Sequence, residues 1–154
     1  MDAAPLLNRV ARTLAERHLD AVLIGNAAAA LQGSPVTTLD LDFMFRKTPT
    51  NIRKLKGVAD DLGAVVMRPF YPASDLYRVV RDADGLQLDF MAKIDGIRSF
   101  ERLRAGASPV VFAGHPILVA SLRDIIKSKR AAGRPQDLAV IPVLEQTLDA
   151  QEKG

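Results

Sequence analysis

Ala21-Val22-Leu23-Ile24-Gly25-Asn26, and further on Leu39-Asp40-Leu41-Asp42-Phe43-Met44-Phe45, are the stretches whose reading decides the fold. The first four residues are a continuous apolar run, the mark of a buried strand. Gly25-Asn26 then turns the chain into the alanine-rich residues 27–32, which favour helix and end at Gly33. After an extended connection over 34–38, residues 39–45 alternate strictly and predict a second strand. Asp40 and Asp42 lie two residues apart on it and share one face, while Leu41 and Phe43 face the core.

Working outward, Leu6, Leu7, Val10, Ala11 and Leu14 recur at helical spacing and predict a helix over 5–17, with Pro5 in its first turn. A second amphipathic helix is expected over 51–62, then a strand over 64–67. Residues 77–81 and 86–91 flank the turn Asp82-Ala83-Asp84-Gly85 and predict a hairpin. A short helix capped by Ser99 follows near 99–105, then short strands at 110–112 and 117–119. Ser121 and Asp124 have the spacing of a capping box, opening a helix that Gly133 ends near 132. Pro135 starts a last helix to about 150, which Pro142 is expected to kink. The order predicts an α+β fold: a mixed β-sheet flanked by helices, not a doubly wound one. Residues 1–120 are expected to form the α/β core and 121–154 a C-terminal helical segment packed on it, one domain overall.

Of the 154 residues, 48% are hydrophobic and 25% charged, enough apolar material for a core and against wholesale disorder. Cysteine is absent, which excludes disulfides, thiol catalysis and Cys-ligated zinc. His18 and His115 cannot form a multi-histidine metal site, and no role is assigned to them. No apolar run reaches the length of a membrane span, and the start of the chain does not read as a secretory signal. A cytoplasmic protein with no membrane partner is therefore expected. The net charge of +3 is mild. Arg46, Lys47, Arg53, Lys54 and Lys56 form one basic cluster; Arg123, Lys127, Lys129, Arg130 and Arg134 form another. Each is either a solvated helix face or an attraction for polyphosphate or RNA.

The strand carboxylates carry the chemistry. Same-face acids repel, and no fold needs Asp40 beside Asp42 for stability, although a solvated edge strand would tolerate them. Asp89 sits between Leu88 and Phe90, where burial is costly unless the acid is paired or metal-bound. Three acids on two strands have the oxygen-only chemistry that suits Mg²⁺ or Mn²⁺, and metals so held serve phosphoryl transfer. The Gly25-Asn26 turn, between a strand and a helix N-terminus, suits a phosphate; the commoner role for Asn26 there is an N-cap.

Leu23-Ile24-Gly25-Asn26, then Gly33, then Thr38-Leu39-Asp40-Leu41-Asp42 resembles the minimal nucleotidyltransferases of the DNA polymerase beta superfamily. Those have a strand, a Gly-Gly or Gly-Ser turn, a short helix, a Thr-x-Asp-x-Asp strand and a later third acid, here Asp89. Lys129 through Gly133-Arg134-Pro135-Gln136-Asp137 is similar to a segment of a subgroup that includes the abortive-infection-type toxin nucleotidyltransferases. The resemblance spans about Val22 to Leu138. It implies Asp40, Asp42 and Asp89 as catalytic metal ligands for Mg²⁺ or Mn²⁺, and Gly25, Asn26 and Lys129 as nucleotide-binding residues. It further implies transfer of a nucleoside monophosphate from a nucleoside triphosphate, with release of pyrophosphate. The acceptor stays open among tRNA, protein and small molecules, with a cognate antitoxin as an expected partner. Arg134 and Asp137 are expected to pair structurally. The rival reading is a non-catalytic nucleotide-binding or interaction module that has kept the fold; a metal-dependent nuclease or phosphatase is a third.

Overall fold

A computed structural model describes residues 4–36, 40–68 and 75–154. The alternating and apolar segments form seven strands: β1 Ala21–Ile24, β2 Leu41–Phe45, β3 Val65–Met67, β4 Leu76–Arg81, β5 Leu86–Met91, β6 Ser108–Phe112 and β7 His115–Val119. They make one sheet in the order β3-β4-β5-β2-β1-β7-β6. Its β2–β5 and β1–β7 pairs are parallel and the other four antiparallel, so the sheet is mixed as expected. The helices are α1 Ala4–Arg17, α2 Gly25–Leu31, α3 Pro49–Asp61, α4 Phe100–Gly106, α5 Leu122–Ala132 and α6 Pro135–Lys153.

The register at the centre of the sheet is set by aromatic packing. Phe43 and Phe90 are cross-strand partners, both fully buried, and their rings stack at 4.9 Å. Phe45 meets Phe90 and Tyr77 edge-on, at 5.9 and 5.6 Å between centroids. Side chains alternate along a strand, so fixing Phe43 against Phe90 on one face fixes Asp42 beside Asp89 on the other. A slip by one residue would send every aromatic side chain out of the core.

Local signals account for most element ends. Ser99 and Ser121 accept hydrogen bonds from the Arg102 and Asp124 backbone N–H groups, and Gly133 closes α5 in the left-handed conformation at φ 67°. Buried Asn51 ties three elements together: its amide donates to the Asp20 and Arg46 carbonyls and accepts from the Asp20 N–H. Gln32 donates to the Ala120 carbonyl and Ser34 to the Thr147 hydroxyl, fastening the end of α2 to α5 and α6.

Some boundaries differ from expectation. Helix α2 begins at Gly25, not at residue 27, so Asn26 lies inside it and Ile24 occupies the N-cap position. Strand β2 begins at Leu41; Thr38 and Leu39 lie outside the described residues, as does Tyr71. Helix α6 runs through Pro142, as expected, and ends at Lys153 instead of near residue 150.

Candidate functional site

A cleft of about 930 Å³ opens where the C-terminal end of β1, the start of β2, the loop after β5 and the α5–α6 corner converge. Gly25, Asn26, Asp40 and Asp42 line its sheet wall; Lys129, Arg134 and Asp137 line its helical wall.

On the sheet wall, Gly25 adopts φ +68°, which only glycine takes up without strain, and a Cβ there would stand 3.7 Å from Asp42 Oδ2. The turn thus runs directly past the Asp42 carboxylate. Asn26 Oδ1 is buried with no hydrogen-bond partner among the described residues, so Asn26 is not the helix cap that its type favours at such a turn. A buried acceptor without a partner costs free energy, of order 1–3 kcal/mol, until a donor or cation arrives.

Asp42 and Asp89 are register partners on parallel strands, and Asp40 precedes β2 by one residue. Burial, then the charges of Asp89 and Asp40, push the Asp42 carboxyl up to about 6. Arg78 and Lys129 pull it the other way and do not cancel the rise. Asp89 is buried, and its two oxygens take the Arg78 guanidinium, Nε to Oδ1 at 2.8 Å and Nη2 to Oδ2 at 3.2 Å.

The helical wall is differently balanced. Asp137, 4% exposed, accepts two hydrogen bonds from Arg134, at 2.6 and 3.2 Å, and has Lys129 Nζ at 3.8 Å. These cations hold its carboxyl below the usual range. Burial draws the Lys129 ammonium down while Asp137 and Asp42 support its charge, so Lys129 faces both walls. The expected Arg134–Asp137 pair is present.

Among the described residues no group of three or more His, Asp or Glu side chains is arranged to hold a metal ion. The three expected ligands are neighbours on the sheet, but Asp89 is turned to Arg78 while Asp40 and Asp42 line the cleft. Two carboxylates with phosphate oxygens are what Mg²⁺ commonly takes, so the donor set fits one such ion held with a nucleotide. Arg78 escaped the sequence reading. The tight turn at 82–85 pairs Arg81 with Leu86, and counting back along both strands from there brings Arg78 opposite Asp89.

The two basic clusters are largely tied up. Arg46 pairs with Asp20 and Glu101, Lys47 with Asp75, Arg123 with Glu152 and Arg130 with Glu145. Lys54 donates to the His18 carbonyl. No helix among the described residues is long and apolar enough to cross a membrane.

No protein-family model and no curated protein matches the sequence. Solved structures do match the fold. The solution structure of the antibiotic-resistance factor ANT(2'')-Ia superposes with a TM-score of 0.65 at 20% identity, covering 98% of this chain and 88% of that one. The crystal structure of ANT(2'')-Ia in complex with adenylyl-2''-tobramycin gives 0.64 at 20% identity, with 97% and 91% covered. An antigenic nucleotidyltransferase-like protein from Paracoccidioides brasiliensis gives 0.57 at 15% identity, with 92% and 74% covered. At such identities the likeness speaks for the fold, and not for the abortive-infection-type subgroup. The chain has a nucleotidyltransferase-like α+β fold, a mixed sheet flanked by helices.

Proposed function

We propose that the protein is a Mg²⁺-dependent nucleotidyltransferase that moves a nucleoside monophosphate from a nucleoside triphosphate to an acceptor hydroxyl or phosphate. The observation that carries this reading is Asp42, a carboxylate pushed up to about 6 by burial and then by the charges of Asp89 and Asp40, beside the Gly25–Asn26 turn of this fold. Folding alone gives no reason to gather that much uncompensated charge; a site awaiting a cation does.

In this reading Asp40 and Asp42 would hold the ion, which supplies charge neutralisation to the phosphates when bound. Gly25 lets the backbone approach the β- and γ-phosphates, and Asn26 brings a side-chain amide to the same turn. Lys129 reaches from the helical wall to phosphate charge. Asp89 completes the group of site acids next to Asp42. The acceptor oxygen attacks the α-phosphorus, the bond to the bridging oxygen breaks, and pyrophosphate leaves. The acceptor stays open among small molecules, tRNA and protein hydroxyls. Neither a toxin role nor an antitoxin partner is needed for this chemistry.

The Arg78–Asp89 pair favours one second reading, a nucleotide-binding module without catalysis. Calorimetric titration with ATP, CTP, GTP and UTP, with and without Mg²⁺, begins the test. Release of pyrophosphate with a panel of small hydroxylated acceptors and tRNA completes it. Mg²⁺-dependent binding lost in Asp40→Ala/Asp42→Ala, together with acceptor-dependent pyrophosphate, is expected of the transferase. Binding with no transfer to any acceptor favours the module, and no metal-dependent binding at millimolar nucleotide overturns the transferase.

A further inference from the structure

We infer that Arg78 is a positioning residue of this site: it holds Asp89 in a closed ion pair, so that Asp40 and Asp42 take one divalent cation with the nucleotide and Asp89 is not a ligand to it. The inference rests on the proposed nucleotide transfer and concerns how the site is charged.

The pair is built into the sheet. Arg78 and Asp89 stand directly opposite on β4 and β5, between the rungs Tyr77–Phe90 and Val79–Leu88, whose members are all buried. The strand register therefore delivers the guanidinium to the carboxylate. Both Asp89 oxygens are engaged by Arg78, and Gln87 Nε2 lies 3.4 Å from Oδ2. The forked guanidinium takes one lone pair on each Asp89 oxygen and Gln87 a further one on Oδ2, so three of the roughly four sites a carboxylate offers are engaged. Stripping a cation from a carboxylate only 8% exposed leaves a buried charge, which is strongly unfavourable. Asp40 and Asp42 line the cleft, and Asp89 does not.

A second ion would need Arg78 to withdraw.

The test counts Mn²⁺ bound per chain from the free-ion electron paramagnetic resonance signal. It is run with saturating α,β-methylene analogues of the four nucleoside triphosphates. One ion is expected in the wild type, and one in Asp89→Asn with affinity within about threefold. Asp42→Asn is expected to weaken it more than tenfold. Arg78→Gln frees Asp89 and is expected to gain a second ion, whereas Arg78→Lys keeps the count at one. If Arg78→Gln does not fold, Arg78→Gln/Asp89→Asn, which leaves no buried charge, is read in its place and keeps one ion. Two ions in the wild type, or a more than tenfold loss in Asp89→Asn, overturns the inference while leaving nucleotide transfer intact. No Mn²⁺ with any analogue overturns the inference together with the proposed function.

Discussion

Asp42 on the sheet wall and Asp137 on the helical wall are carboxylates withdrawn from water in one cleft, yet their environments act in opposite senses. Asp42 is raised to about 6 by burial and by the charges of Asp89 and Asp40; Asp137 is clasped by Arg134 and Lys129 and is lowered. The difference separates two uses of a buried charge. A paired carboxylate holds α5 to α6, and an unpaired one keeps binding capacity in reserve at the expense of stability.

The largest expected effect comes from breaking the sheet wall. Asp42→Asn removes the repulsion at nearly constant shape. The protein without metal or nucleotide should gain about 2 kcal/mol. Nucleotide transfer should fall by about a thousandfold, the scale of losing a group that organises transition-state charge. Thermal melting with and without Mg²⁺-nucleotide, alongside pyrophosphate release, checks both halves. Loss of activity without gain of stability would mean that Asp42 is better compensated than its surroundings imply.

The helical wall should break the other way. Asp137→Ala strands the Lys129 side chain, which is only 13% exposed, beside Arg134. The expected cost is about 3 kcal/mol, a fall of roughly 10 °C in Tm. A fall of less than about 3 °C would deny Asp137 its role as the clasp.

Acid titration compares both walls in one experiment. Asp42 has a folded-state pKa above its ordinary 3.8, so between about 6 and 4 the folded state binds the extra proton. Stability should therefore rise as pH falls through that window, by up to about 3 kcal/mol, and Asp42→Asn should flatten the rise. Asp137 has the opposite sign: its contribution is present above the ordinary carboxylate range and is lost as pH falls below it. Urea midpoints from pH 7 to 3 should pass through a maximum near pH 4.

How much of this contrast was legible beforehand follows from the range of the forces involved. Asp40, Asp42 and Asp89 stand out because an acid in an apolar strand is anomalous within a few residues. The Ser99 and Ser121 caps and the Gly133 stop are local for the same reason. The charge state of each acid depends on partners that the topology supplies, so it was not legible. Arg78 reaches Asp89 through the hairpin register, and Lys129 reaches Asp42 across the cleft. Asn26 shows the limit most directly. Its residue type favours a cap, but the chain enters α2 at Gly25 with positive φ, which carries Asn26 past the capping position and buries Oδ1 without a partner. Asn26→Ala should accordingly stabilise the ligand-free protein, by about 1 kcal/mol, since it removes a buried acceptor that has no partner and breaks no hydrogen bond. It should weaken Mg²⁺-nucleotide binding about tenfold by calorimetry, about 1.4 kcal/mol.

The smallest effect asks whether the contrast concerns burial or merely pairing. Arg130–Glu145 and Arg134–Asp137 are both arginine–carboxylate pairs at the α5–α6 corner, with arginines similarly exposed at 61% and 65%. The acids differ: the Glu145 side chain is 54% exposed and that of Asp137 5%. Water already solvates Glu145, so Glu145→Gln should cost no more than about 0.5 kcal/mol. Asp137→Asn removes a desolvated partner and should cost several times as much. A double-mutant cycle on each pair isolates the coupling, and raising the salt should erase the outer coupling while leaving most of the inner one. Equal couplings would mean that pairing itself holds the corner; a large inner and negligible outer coupling puts the clasp at Asp137, on the wall that faces the nucleotide.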